Sequence, residues 1–247
     1  MNLRFDDVTF RYGKRQPPVL DRFSWEIPPG KTVLLGPNGA GKSTLLGLGT
    51  DALRPTQGRV RFGDVTPSRR RDRSAYRRLV GWMPQHTRAV PGLTAHEQVA
   101  YAAWLKGLGQ RQAWSAAADA LKQVGLHDLA GRKVSTLSGG QVRRIGLAQM
   151  LAHDAQVLLL DEPTAGLDPA QRARFRDLMA ALPQGRVVVV STHQVDDLSE
   201  LFQSVVILDK GRFHFTGSVT EFLELAPAGA VGSPAEAAYA CIVAGES

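Results

Sequence analysis

The chain has 247 residues, a formal net charge of +7 and a pI near 9.9, so it is long enough to bury a substantial core as one domain of two lobes. No apolar run approaches the roughly 20 residues that cross a bilayer, the start shows no signal-peptide pattern, and a single cysteine, Cys241, excludes an intrachain disulfide. These features favour a cytoplasmic chain that meets a membrane only through a partner.

Strands are the first elements that the pattern predicts. Residues 3–12 and 19–27 alternate apolar and polar side chains, which predicts an antiparallel sheet at the start of the chain. Residues 32–35 form a short apolar run that is typical of a buried parallel strand. Residues 58–62 and 79–82 are predicted to be further short strands.

A glycine-rich turn follows the strand at 32–35 and leads into a helix that starts near Lys42. Gly39 and Gly41 lack a Cβ, so the backbone can aim N–H groups at anionic oxygens, and the positive helix end favours the same anion. Lys42 suits the β- and γ-phosphates of a nucleotide, and the Ser43 hydroxyl suits Mg²⁺. The predicted nucleotide cradle is Gly36, Pro37, Asn38, Gly39, Ala40, Gly41, Lys42, Ser43 and Thr44.

Much of the positive charge lies in one stretch, at Arg69, Arg70, Arg71, Arg73, Arg77 and Arg78. We favour a solvated helix face that precedes the strand at 79–82. The alternative is a contact with lipid headgroups or with an acidic loop of a partner. No nucleic-acid recognition motif accompanies the cluster, so no nucleic-acid partner is expected.

Residues 86–152 differ from the rest because they are rich in Ala, Leu and Gln at helical spacing. Thr94-Ala95-His96-Glu97 is a capping box that begins a helix through Leu105. Residues 113–124 and 141–152 are predicted to form two more helices. Ser138 is a good N-cap for the last of them, and Gly139 and Gly140 permit close approach of the backbone to a phosphate.

Two adjacent carboxylates, Asp161 and Glu162, follow an apolar strand at 157–160. Ligands of open α/β sheets gather at the carboxyl ends of the strands, which places this pair beside the cradle. We assign Asp161 to Mg²⁺, directly or through water. We assign Glu162 to orienting or deprotonating the attacking water.

The remaining elements alternate between helix and strand. Asp168 is the predicted cap of a helix whose first residue is Pro169. A strand at 187–190, a helix near 195–202 and a hairpin at 205–215 complete the core. From Ala226 the composition turns to Ala, Gly and Pro, which predicts a flexible or weakly helical tail.

The order of these motifs resembles the nucleotide-binding subunit of an ABC transporter. The stretch Leu137-Ser138-Gly139-Gly140-Gln141 matches that family's own signature, which separates it from other P-loop proteins. The resemblance covers residues 3–222. It implies an α/β fold with a P-loop NTPase core of the RecA type at 3–85 and 153–222, an antiparallel β-sheet at its start, and an inserted helical subdomain at 86–152. Residues 223–247 remain as the Ala/Gly/Pro-rich tail.

The resemblance also implies roles for single residues. Ser138, Gly139, Gly140 and Gln141 match the loop that binds the ATP held by the opposite subunit, and Asp168 matches the D-loop at the subunit contact. Gln85 matches the Q-loop glutamine that touches Mg²⁺ and senses the γ-phosphate, His193 the switch histidine, and Tyr12 the aromatic residue that stacks on adenine. The implied catalytic residues are Glu162, His193 and Gln85, and the implied Mg²⁺ ligands are Ser43, Gln85 and Asp161.

The function implied is ATP hydrolysis with Mg²⁺, in a homodimer or heterodimer of ATPase subunits that drives a separate transmembrane permease at the cytoplasmic face of the cell membrane. Similarity to bacterial exporter subunits favours export. A soluble ABC ATPase of the iron–sulfur cluster assembly type is the alternative, whereas a regulatory module would usually have lost Glu162 or His193. The segment from Gln85 to Trp104 is expected to receive a short coupling helix of the permease, unless Trp104 only fills the core of the helical subdomain.

Overall fold

The computed structural model describes residues 1–194, 201–227 and 233–244, and in these ranges it has two β-sheets and eight α-helices, three of which form a separate group. The strands are β1 Leu3–Phe10, β2 Leu20–Ile27, β3 Gly30–Leu35, β4 Gln57–Phe62, β5 Val80–Met83, β6 Val157–Asp161, β7 Val187–Thr192, β8 Ser204–Asp209 and β9 Arg212–Ser218. The helices are α1 Lys42–Gly49, α2 Arg73–Leu79, α3 Ala95–Leu105, α4 Gln110–Gln123, α5 Gly139–Leu151, α6 Pro169–Ala180, α7 Val219–Leu223 and α8 Pro234–Ala244.

The larger sheet has the strand order β5-β6-β7-β3-β8-β9, and its first five strands run parallel. Alternate side chains of these strands enter two separate cores, because successive residues of a strand point to opposite faces. Val33 and Leu35 pack with the inserted helices, whereas Leu34 packs with α1 and the smaller sheet. Both faces are therefore covered, which explains the continuous apolar runs of β6 and β7.

The smaller sheet is antiparallel with the order β2-β1-β4. Its inner face presents Leu3, Phe5 and Trp25, which are almost completely buried in the core that this sheet shares with α1. This sheet confirms the predicted antiparallel start of the chain. Its first strand ends at Phe10, so Tyr12 lies in the loop that follows and not in the strand.

Helices α3, α4 and α5 form the inserted helical region. The capping box of α3 is confirmed, since Glu97 N donates to Thr94 Oγ1 at 3.2 Å and Thr94 N donates to Glu97 Oε2 at 2.8 Å. This backbone hydrogen bond lowers the pKa of the Glu97 carboxyl below its usual value. Helix α4 begins at Gln110, three residues before the predicted start.

The arginine-rich stretch is only partly a solvated helix face. Arg77 and Arg73, both in α2, lie 2.7 and 3.5 Å from a carboxylate oxygen of Asp51, a buried residue. The side chains of Arg69 and Arg71 are 60% and 79% exposed. Two arginines thus neutralise a buried carboxylate. Arg69 and Arg71 are solvated, but they lie in the turn before α2 and not on the predicted helix face.

The tail differs from the flexible or weakly helical segment that its composition predicts. Residues 234–244 form α8, which contacts α7 and β9. Ala235 and Ala238, three residues apart on one helix face, are buried there because their small side chains allow close packing. Most of the predicted helix near 195–202 lies outside the described residues. No helix in the described ranges is long and apolar enough to cross a membrane.

Candidate functional site

The predicted cradle is a tight turn between β3 and α1. A Cβ at Gly36 would lie 2.1 Å from the Leu208 carbonyl oxygen, so only glycine fits where the turn leaves the sheet. Gly41 immediately precedes α1 with a φ of +105°, a left-handed conformation that glycine adopts at low cost. Gly211 N donates to the Ala40 carbonyl at 3.0 Å, which ties the turn to the hairpin β8–β9.

Lys42 is the first residue of α1, and its side chain reaches back over this turn. Its Nζ donates to the carbonyl oxygens of Gly36 and Pro37 at 2.6 and 3.0 Å, and the residue is only 6% exposed. Burial lowers the pKa of the Lys42 ammonium, and the negative charges of Glu162 and Asp161 oppose that change. A cation held among backbone amides at a helix start suits the phosphates of a nucleotide.

A cavity of about 490 Å³ opens beside the turn. Its lining combines most of the predicted cradle with groups from distant parts of the chain, namely Tyr12, Val19, Asn38, Gly39, Ala40, Gly41, Lys42, Ser43, Thr44, Gln85 and Glu162. Tyr12 is 63% exposed at this cavity, its hydroxyl lies 2.9 Å from Thr44 Oγ1, and its ring is nearly perpendicular to that of Phe10 with the centroids 5.0 Å apart. Much of this aromatic side chain therefore remains accessible at the edge of the cradle.

The acidic pair stands at the carboxyl end of β6. Asp161 is buried and its Oδ1 accepts a hydrogen bond from Ser191 Oγ at 2.6 Å. Glu162 N donates to both the carbonyl and the hydroxyl oxygen of Ser191 at 3.1 Å. Glu162 has a φ of +45°, which is uncommon for a residue with a side chain and which these contacts maintain.

Three predicted catalytic side chains meet at Glu162. Gln85 Nε2 donates to its Oε2 at 3.3 Å, and His193 Nδ1 lies 3.1 Å from its Oε1. The Glu162 side chain is 11% exposed and the His193 side chain 42%. The structure thus brings Gln85, Glu162 and His193 together beside the cradle.

The predicted signature residues lie in a different cavity. Ser138 caps α5, since Gln141 N donates to Ser138 Oγ at 3.3 Å and Ser138 N donates to Gln141 Oε1 at 2.8 Å. The helix therefore begins at Gly139 and not at Gln141. Ser138, Gly140, Gln141 and Asp168 line a cavity of about 260 Å³, which shares no lining residue with the cradle cavity among those described.

The predicted Mg²⁺ ligands fit a site that the substrate completes. Within the described ranges, no group of three or more His, Cys, Asp or Glu side chains could hold a metal ion. Asp161 is buried beside Lys42, and Ser43 is exposed to the cradle cavity. Mg²⁺ commonly takes one or two protein oxygens and completes its shell with phosphate oxygens and water, so this small donor set fits the ion.

The sequence did not single out two residues that organise the site. Ser191 orients both members of the acidic pair. Arg143 donates from Nη1 to the Gln85 carbonyl oxygen, and its Nη2 lies 3.5 Å from the Ala165 carbonyl oxygen. Ser191 stands two residues before the predicted His193, but only the folded structure shows its partners. Arg143 follows the signature by two residues.

Comparison with known proteins agrees with this geometry. The sequence profile described as "ABC transporter" matches residues 20–165, which include the cradle, the Ser138 loop and the acidic pair. The chain belongs to the ABC transporter family. The structure agrees, because an ABC cassette combines an antiparallel sheet and a larger mixed sheet with the P-loop. The predicted fold class is therefore confirmed.

Relatives of this ABC cassette carry several different names. It is 37% identical over 251 residues to the energy-coupling factor transporter ATP-binding protein EcfA2 of Symbiobacterium thermophilum, covering 97% of this chain and 86% of that protein. It is 36% identical over 188 residues to the uncharacterized ABC transporter ATP-binding protein YxlF of Bacillus subtilis, covering 76% of this chain and 61% of YxlF. The chain spans only 9% of the human retinal-specific phospholipid-transporting ATPase ABCA4, at 35% identity over 81% of this chain.

Solved ABC cassettes share the fold. An ATP-binding subunit of an ABC transporter has a TM-score of 0.79 at 22% identity, with 98% of this chain and 100% of that chain covered. The dimeric bacterial ABC transporter cassette MJ0796 has a TM-score of 0.76 at 25% identity, with 88% of this chain and 98% of that chain covered. The first likeness supports the fold alone, whereas the second comes from a cassette described as dimeric.

Proposed function

We propose that this chain hydrolyses ATP as a subunit of an ABC transporter and thereby powers a separate membrane permease. The proposal depends on one observation: Gln85 and His193 both contact the Glu162 carboxylate, beside a cavity that the Lys42 cradle lines. A base, a cation and exposed polar groups face one space, which is the arrangement that phosphoryl transfer to water requires.

Each side chain has a distinct role in the proposed reaction. The cradle amides and Lys42 bind the β- and γ-phosphates, and the Tyr12 ring stacks on the base of the nucleotide. Glu162 orients the attacking water and accepts its proton, while Gln85 and His193 hold the carboxylate and contact the γ-phosphate. Ser43, Gln85 and Asp161 would hold Mg²⁺, which neutralises charge on the phosphate oxygens.

A second chain is part of the proposal. Ser138 and Asp168 line a cavity separate from the cradle cavity of the same chain. If two chains associate head to tail, the Ser138 loop of each faces the cradle of the other, and the positive start of α5 points at the γ-phosphate. The dimeric relative MJ0796 supports such an assembly.

The permease contact is proposed for the outer face of α3. Tyr101 and Trp104 are 43% and 53% exposed and stack with ring centroids 5.9 Å apart, whereas Ala100 and Ala103 are buried. Trp104 therefore does not fill the core of the helical region. With Trp114 the two rings line a cavity of about 400 Å³, and an exposed apolar groove of this kind fits the apolar face of a partner helix.

We propose the direction of transport and the location from the names of the relatives. One is the linearmycin resistance ATP-binding protein LnrL of Bacillus subtilis, at 30% identity over 89% of this chain. We favour export at the cytoplasmic face of the membrane on this resemblance. EcfA2, an energy-coupling factor transporter protein, is also similar. The transporter names of these relatives favour a transporter subunit over the iron–sulfur cluster assembly alternative.

The test is phosphate release by the purified chain with ATP, in Mg²⁺ and in excess EDTA. We expect turnover that requires Mg²⁺ and that rises more steeply than linearly with chain concentration, because each complete site needs two chains. Turnover that is strictly linear in concentration down to nanomolar chain would contradict the two-chain site. Absence of any hydrolysis, with the chain folded and ATP bound, would contradict the enzymatic proposal.

A further inference from the structure

Arg143 connects the helix that carries Ser138 to the two segments beside Glu162. It lies on α5, and its guanidinium donates to the Gln85 carbonyl oxygen and approaches the Ala165 carbonyl oxygen at 3.5 Å. The Gln85 side chain in turn donates to the Glu162 carboxylate. Ala165 N donates to the Glu162 carbonyl at 3.2 Å. The Arg143 side chain therefore contacts both segments that hydrogen-bond to the proposed base, the one at Gln85 and the one at Ala165.

The face of α5 that carries Arg143 is packed tightly against the same segments. Gly140, Arg143 and Gly146 are spaced three residues apart and share one helix face. A Cβ at Gly140 would lie 2.6 Å from Gln171 Oε1, and a Cβ at Gly146 would lie 2.7 Å from Thr87 Oγ1. Gln171 belongs to the helix after Asp168 and Thr87 follows Gln85 by two residues. The side chains of Gln171 and Thr87 thus leave no free space between this face of α5 and the two segments.

The charge of Arg143 also suits this position. Burial lowers the pKa of its guanidinium below the usual value, and the negative charges of Glu162 and Asp161 oppose that change. Arginine stays charged under such conditions, and its planar fork can donate to two separate acceptors at once. All donors of a lysine start from one nitrogen, so we expect a lysine at this position to hold one of the two loops less well.

We propose that Arg143 is a positioning residue for hydrolysis, which fixes Gln85 and residues 164–168 around Glu162 and couples them to the helix that begins at Ser138. The proposal rests on the proposed ATPase function. In a two-chain assembly, the Ser138 loop of one chain would contact the nucleotide held by the partner chain. Arg143 would then link this contact to Glu162 of its own chain, which belongs to the other nucleotide site.

The experiment compares wild type with Arg143→Ala, Arg143→Lys and the control Arg186→Ala. Arg186 is an arginine with a 12% exposed side chain that pairs with Asp154 at 2.6 Å, at the opposite end of β7 from His193. Each variant is measured for kcat, KM, affinity for ATP in the isolated chain and thermal unfolding. We expect Arg143→Ala to lower kcat about tenfold or more, because misplaced catalytic groups cost rate, while ATP affinity changes less than about twofold. Arg143→Lys should retain an intermediate kcat, and Arg186→Ala should change stability alone.

The outcomes separate this proposal from the proposed function. If wild type hydrolyses ATP and Arg143→Ala keeps a normal kcat, or loses no more than Arg186→Ala, Arg143 has no positioning role. If Arg143→Ala does not fold, the folded Arg143→Lys variant decides, since a wild-type kcat there would overturn the need for two donors. If wild type itself lacks hydrolysis, the ATPase proposal fails first.

Discussion

Replacement of Glu162 by Gln tests the proposed base with little disturbance of the fold. The amide keeps the shape of the carboxylate and one acceptor oxygen for His193 Nδ1, which lies 3.1 Å away in the wild type. Gln85 Nε2 donates at 3.3 Å, a long hydrogen bond, and its loss costs about 1 kcal/mol or less. Because the side chain is only 11% exposed, removing its charge removes a desolvation cost, and this gain opposes the loss of its attraction to the Lys42 ammonium. We therefore expect the free energy of unfolding to change by no more than about 1 kcal/mol.

The effect on turnover should be far larger. A general base contributes typically 10²–10⁴-fold, so kcat should fall at least about 100-fold, which corresponds to about 2.7 kcal/mol of transition-state stabilisation. ATP binding should persist because the Lys42 cradle is untouched. A chain that binds ATP without hydrolysing it should accumulate as a dimer, which size-exclusion chromatography with ATP detects. Near-normal steady-state hydrolysis by Glu162→Gln would remove this residue from the role of base.

Three further predictions concern Lys42, His153 and Tyr101. Lys42→Ala should weaken ATP binding sharply in a titration while unfolding of the nucleotide-free chain changes little; unfolding of the variant would show that Lys42 is structural. His153 is 8% exposed, and burial together with the positive charge of Lys106 lowers the pKa of its imidazole to about 4. The unfolded chain therefore takes up a proton at this histidine below about pH 6.5, whereas the folded chain does so only near pH 4. Stability should then fall by up to about 3 kcal/mol as the pH decreases from 6.5 to 4, and melting curves of His153→Gln should lack part of this decrease. Tyr101→Glu on the exposed face of α3 should abolish co-purification with the permease and coupled transport but preserve ATP binding, whereas Leu225→Glu, at a 44% exposed position, is the control.

Features that depend on neighbouring residues were predictable from the sequence. The capping box at Thr94 and the N-cap at Ser138 were predictable, because a short polar side chain before a helix satisfies its free backbone amides. The reciprocal hydrogen bond from Ser138 N to Gln141 and the start of α5 at Gly139 were not predicted. The cradle was predictable because its turn requires glycine. The start of α4 was missed, since Gly109 offers no side-chain cap and only Gln112 accepts its amide, at 3.4 Å.

Features that depend on distant residues required the fold. Ser191 is 30 positions from the Asp161 carboxylate that it contacts, and Arg143 is 58 positions from Gln85. A serine at a strand end and an arginine after a signature have many possible partners, and only the strand order and the docking of α5 select these. The tail helix was underestimated for the same reason, because its alanines gain stability from burial against α7 and β9.

The separation of the two cavities has a genetic consequence. Suppose that each working site takes its cradle from one chain and its Ser138 loop from the other. A defect in the cradle or in the Ser138 loop then inactivates both sites of a dimer of identical chains. A cell with two defective alleles, one damaged at Lys42 and one at Ser138, would still form mixed pairs in which both lesions fall in the same site. The other site of that pair is then intact. The Lys42 allele and the Ser138 allele, each inactive alone, would complement each other. Two alleles that are both damaged in the cradle, or both in the Ser138 loop, would not.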